Sequence, residues 1–181
     1  MDEKERKKQV KEIKAQLALT KAKMRSYKNS LLLRGSFIER IVGIERQIDT
    51  FLSNYFSKNE FVGNELHEML WCTERITIGS KKDIMFIILK KHYKDFLNEH
   101  PRFMDILERL IPHRNIFAHL EFDINSDEAA RKHSLVFKKY KNGKLELKEY
   151  TGEVLAQLNG ELSEIDNTIR ELLKPIKPSQ A

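Results

Sequence analysis

The chain has 181 residues, 40% of them hydrophobic and 33% charged, which suits one soluble domain with a buried core and an appended arm. Its longest apolar run, IMFIIL at 84–89, is far short of the ~20 residues that a membrane-spanning helix needs, and a block of that kind excludes disorder throughout. The single cysteine, Cys72, excludes an internal disulfide or a cysteine zinc cluster; the start MDEKERKKQV has no apolar stretch behind it, so no secretory leader, no membrane partner and a cytoplasmic location are expected.

The formal net charge is +6, and it is unevenly placed. Residues 1–28 hold ten Lys/Arg against Asp2, Glu3, Glu5 and Glu12, whereas residues 29–181 hold 23 basic and 23 acidic residues. A basic arm at 1–28 on a neutral helical domain at 29–181 fits either contact with a nucleic-acid backbone or a solvated helix kept soluble by its lysines.

With seven glycines and four prolines, long helices are expected. Residues 2–28 lack both, and Val10, Ile13, Leu17, Met24, Tyr27 and Leu31 recur with Thr20 in the gap. That narrow stripe reads as a coiled-coil seam or as a face lying against the body. Gly35 and Ser36 are expected to break the helix. A second helix then runs from about Phe37 to Phe56, with Arg40, Glu45, Arg46 and Asp49 opposite its apolar stripe.

Residues 57–63 read as a loop, Glu65–Glu74 as a short helix, and ITIGS as a turn ending in a Ser80 cap with Asp83 behind it. The helix over 81–98 contains IMFIIL and is expected to be buried on every side. Phe103, Ile106, Leu107, Leu110 and Ile111 carry a further helix to Pro112, which either kinks it or opens a new turn. Residues 123–133 are polar and irregular. LVFKKY and KLELKEY around Asn142-Gly143 read as a β-hairpin near 135–150. Thr151 caps a last apolar-striped helix that stops before Pro175.

No glycine-rich phosphate loop, HExxH or nucleophile elbow is present, and His92, His100 and His133 have no partner at a metal-ligand spacing. Neither a metal nor an organic cofactor is expected. What remains is Arg114, Asn115 and His119 in RNIFAH. On a helix Asn115 and His119 share a face, while Arg114 stands about 140° from His119. Ile116 and Phe117 are expected to face the core. A guanidinium and an amide suit a phosphate, and an imidazole moves protons near neutral pH. Alternatively, Arg114 and His119 cap the helix end or pair with Glu121 and Asp123.

R-N-x-x-x-H after the apolar run in DILERLIPHRNIFAHLEF resembles the signature of the HEPN superfamily, and the helix order over roughly 30–175 is similar. The resemblance implies an all-α, HEPN-like helical bundle, here with a long N-terminal helix and the hairpin as an insertion. It also implies a homodimer whose motif helices face one another and share one cleft. Many such proteins are metal-independent ribonucleases, often toxins or defence effectors; others are non-catalytic RNA- or protein-binding or regulatory modules. The implied activity is cleavage of single-stranded RNA by 2′-OH attack, with Arg114, Asn115 and His119 as site residues. The implied partners are RNA, a second copy, and an antitoxin or regulatory protein. The hairpin, the basic arm and His113 lie outside the family pattern.

Overall fold

A computed structural model describes residues 2–73, 76–123 and 134–174. The chain is mostly helical, with one small antiparallel sheet. It divides into two compact units, Met1–Ser36 with Ala118–Ala156, and Phe37–Phe117 with Gln157–Ala181. No helix among the described residues is long and apolar enough to cross a membrane.

Helix α1 runs unbroken over Glu3–Phe56, so Gly35 and Ser36 do not interrupt it. A mid-helix glycine costs only about 1 kcal/mol relative to alanine. Leu31, Leu32, Leu33 and Arg34 before it favour a helix, and Phe37, Ile41, Ile44 and Ile48 after it are buried. Burial of an amphipathic face outweighs one weak propensity.

In the first unit, α1 is accompanied by strands β1 (Glu121–Phe122), β2 (Leu135–Lys141) and β3 (Lys144–Tyr150). The order is β1-β2-β3, with Phe122 opposite Phe137 and Leu135 opposite Tyr150. The expected hairpin is present. Its turn places Asn142 at φ 52° and Gly143 at φ 73°, the left-handed pair that a two-residue hairpin turn requires. An aromatic ladder joins sheet and helix: Tyr27 meets Phe122 at 6.2 Å, Phe122 meets Phe137 at 6.0 Å, and Phe137 meets Tyr150 at 5.7 Å. The Tyr150 phenol is fully buried, and burial pushes its pKa up to about 12. The expected polar stretch at 123–133 lies outside the described residues apart from Asp123, whose N–H extends the β1–β2 ladder to the Val136 carbonyl at 2.8 Å.

The second unit is built of helices. After α1 come α2 (Glu60–Leu66), a π-helical turn (His67–Trp71), α3 (Ile78–His92), α4 (Lys94–Glu99), α5 (Phe103–His119) and α6 (Gly152–Leu172). Several boundaries differ from the sequence expectation. The stretch read as a loop is largely helical, because the Asn59 side chain accepts from the N–H groups of Phe61 and Val62. The helix expected over Glu65–Glu74 begins earlier and ends in the π-helical turn. Thr77, not Ser80, caps α3: its hydroxyl accepts from the Ser80 N–H at 3.2 Å. The helix expected to reach 98 ends at His92, with α4 as a separate piece.

IMFIIL is not buried on every side. Met85, Ile88 and Leu89 are buried, but Ile87 is 66% exposed. These three pack in a core with Ile41, Ile48 and Leu52 of α1, Ile106, Leu107 and Leu110 of α5, and Leu162, Ile165 and Ile169 of α6. Helix α6 starts as expected: the Thr151 hydroxyl accepts from the Val154 N–H, and burial recurs at Leu158, Leu162, Ile165, Ile169 and Leu172.

Nothing lies within 4 Å of a Cβ built on Gly35. Gly35→Ala should therefore stabilise the protein by about 0.5–1 kcal/mol in denaturant titrations. A helix interrupted at this position would gain nothing from the substitution.

Candidate functional site

Helix α5 carries the whole Arg114–His119 motif. It passes straight through Pro112, which removes one N–H donor and normally costs about 3 kcal/mol inside a helix. Phe103, Ile106, Leu107, Leu110 and Phe117 hold it in place from the core. Phe117 is fully buried and stacks on Phe37 with ring centroids 4.5 Å apart. Ile116 is only half-buried, so of the two residues expected to anchor the motif, Phe117 alone is a full core residue.

Arg114 and Asn115 line an open cleft of about 760 Å³. Its other walls come from Val42, Glu45, Arg46 and Asp49 of α1, from Cys72 and Thr73 after the π-helical turn, and from the start of α3 up to Lys81. Arg114 donates from Nη1 to Asn115 Oδ1 at 3.3 Å, and its Nε is buried with no hydrogen-bond partner among the described residues. Asn115 is exposed. A phosphate oxygen is the kind of acceptor that a guanidinium and an amide in this position can take.

His119 is the last residue of α5 and is exposed. It is one helical turn beyond Asn115, does not line the cleft, and belongs to the first unit. In that unit Arg34 donates from Nη2 to the Ala118 carbonyl at 2.8 Å. The orphan carbonyl beside His119 is thus tied by an arginine from α1. The expectation that Glu121 and Asp123 answer the motif is not met among the described residues. Both pair with Lys138, at 3.0 and 3.7 Å.

The sequence reading missed the cleft's buried wall. Lys81 extends its ammonium to Glu45 Oε1 and Asp49 Oδ1, each at 2.9 Å. The side chains of Lys81 and Asp49 are both 3% exposed. Asp49 was expected on the solvent side of its helix, yet it points inward to meet a lysine. Its signal was faint: acids at i and i+4 beside the core residues Ile44 and Ile48, and a lysine at the head of an apolar helix. Burial raises the Asp49 carboxyl above its usual range, against the pull of Lys81. Burial also disfavours the charged lysine, but Glu45 and Asp49 outweigh it and hold the ammonium above the ordinary lysine range.

Comparison with models of known families, with curated proteins and with solved structures gives no match.

Removing one member of a buried ion cluster strands the others. Lys81→Met should cost about 3–5 kcal/mol in denaturant unfolding, and Asp49→Asn in the same chain should recover part of that loss. Because the folded state raises the Lys81 pKa, its contribution is complete at neutral pH. It disappears as the pH climbs past the ordinary lysine range. Alkaline titration of the melting temperature should show this fall in the natural chain and a flatter profile in Lys81→Met.

Proposed function

We propose that the chain is a metal-independent endoribonuclease of the HEPN kind, acting on single-stranded RNA at a site completed by a second copy. The observation that carries this reading is the placement of Arg114 and Asn115 in an open cleft, with His119 exposed at the end of the same helix. These three side chains suit phosphoryl transfer, whose demands are charge stabilisation at the phosphate and proton transfer at two oxygens.

In the proposed reaction the ribose 2′-OH attacks the adjacent phosphorus and the bond to the 5′-oxygen breaks. The products are a 2′,3′-cyclic phosphate and a free 5′-OH. One His119 accepts the 2′-OH proton, and the His119 of the second copy delivers a proton to the departing 5′-oxygen. Arg114 stabilises the charge that develops on the phosphoryl oxygens, and Asn115 orients the phosphate. A histidine on each copy supplies both acid and base, which explains why one histidine per chain would suffice. A role as a toxin or defence effector, held in check by an antitoxin or regulatory protein, belongs to the same proposal.

The test is incubation with single-stranded RNA in EDTA, alongside light scattering. Cleavage should persist in the chelator and the protein should be a dimer at micromolar concentration. His119→Ala and Arg114→Ala should each lower the rate by ~10²-fold or more, consistent with loss of a positioned proton or charge donor. Arg114→Lys should stay impaired, because it keeps the charge but loses the planar fork. Melting temperatures should change little. A strict monomer, or activity that falls only in step with stability, would sink the reading; RNA binding without cleavage would assign the chain to the non-catalytic modules.

A further inference from the structure

The first three turns of α1 and the several that follow carry an exposed seam. Val10, Ile13, Leu17, Met24 and Leu31 are 44–69% exposed, and Tyr27, although its ring meets Phe122, keeps 43% exposed. With Thr20 between Leu17 and Met24, the spacing alternates threes and fours over residues 10–31, the a and d positions of successive heptads. A helix of this length extends ~30 Å, so the seam is far longer than a chance patch of scattered surface leucines.

The residues flanking the seam identify what covers it. Every e position is a lysine: Lys14, Lys21 and Lys28. All three are exposed, and none forms an ion pair with a described residue. The g positions, beginning with Gln9 and Gln16, include no acid. A parallel pair of copies would set Gln9 and Gln16 against lysines and Lys23 against Lys28, and an antiparallel pair would set lysine against lysine. Neither gains an attractive contact, and the second is repulsive. RNA would satisfy the lysines but leave six apolar side chains in water. A helix with apolar a and d residues and glutamates beside them satisfies both features at once.

We infer that residues 10–31 form a docking strip for an acidic amphipathic helix of another protein, held as a heterotypic coiled coil. The e-position lysines select that partner and reject a second copy of this helix. The strip lies on α1 within the first unit, and it stands independently of the chemistry proposed for Arg114 and His119.

Three synthetic three-heptad peptides and a short single-stranded RNA test this against the full chain by fluorescence anisotropy. One peptide has leucine at a and d and glutamate at e and g; the second keeps the glutamates but has alanine at a and d; the third keeps the leucines but has lysine at e and g. The first should bind in the micromolar range, and the other two about tenfold or more weakly. Leu17→Asp should abolish the binding with no change in melting temperature, because Leu17 is exposed. Replacing Lys14, Lys21 and Lys28 with glutamate should reverse the choice, so that the lysine peptide now binds. Equal binding of the alanine peptide, tighter binding of the RNA to this segment, failure of the leucine–glutamate peptide to bind, or a Leu17-dependent dimer in sedimentation would each overturn the inference.

Discussion

A lysine whose side chain is 3% exposed cannot be left without counter-charge, and the second unit is arranged around that demand. Lys81 sits at the start of α3, and its two carboxylates come from one face of α1, at Glu45 and Asp49. The pairing fixes how far α1 and α3 can slide along one another, since a shift of one helical turn would part the charges and strand them in a low-dielectric interior. Apolar packing alone gives no such register, because Ile41, Ile44 and Ile48 offer similar surfaces at each turn. The cleft that holds Arg114 and Asn115 shares this wall. Its shape is therefore set by ion-pair geometry as well as by hydrophobic burial.

Helix α5 resolves a local conflict in the same manner. Pro112 disfavours a continuous helix, and the sequence alone left open whether it kinks the chain or begins a new turn. Five buried residues, with Phe117 stacked on Phe37, hold the helix together past the proline to His119. At that end, Arg34 takes a carbonyl that the helix cannot satisfy itself. Core contacts set the direction of the motif, and one long-range hydrogen bond fixes its terminus. This division leaves Asn115 and His119 exposed and free of any packing task.

Features governed by local chemistry were legible in the sequence. The Asn142-Gly143 turn demands left-handed backbone, so the turn of the hairpin could be placed to the residue. The Thr151 cap and the 3.6-residue period of Leu158–Leu172 identified α6 in the same direct way. Features governed by distant contacts were not. Gly35 marks a break only if the burial on its C-terminal side is ignored, and IMFIIL looks buried all round only if its neighbours are taken to cover Ile87 as well. Asp49 shows only the faint sign of an acid four residues after Glu45, and nothing local says that a lysine 32 residues later draws it inward. Residue type and spacing single out Arg114, Asn115 and His119, but the cleft that Arg114 and Asn115 line depends on α1 and α3, which no local pattern connects to them.

The charges divide by use. In the second unit, basic groups are largely occupied: Lys81 with Glu45 and Asp49, Arg109 with the buried Glu161, Arg170 with Asp166, and Arg40 with Asn159 and Ser163. These contacts join or stiffen helices, and the 23 basic residues of 29–181 are matched by 23 acids. The opening stretch of α1 is different. It carries a surplus of six positive charges over residues 1–28, and among the described residues Lys7 pairs with Glu3 in a first-turn i,i+4 contact. Exposed pairs of that sort contribute little to stability. Self-repulsion along the helix is a steady cost. Exposed lysines at 14, 21 and 28, set beside an apolar seam whose side chains stay 43–69% exposed, have their physical explanation in an anionic, apolar surface supplied from outside.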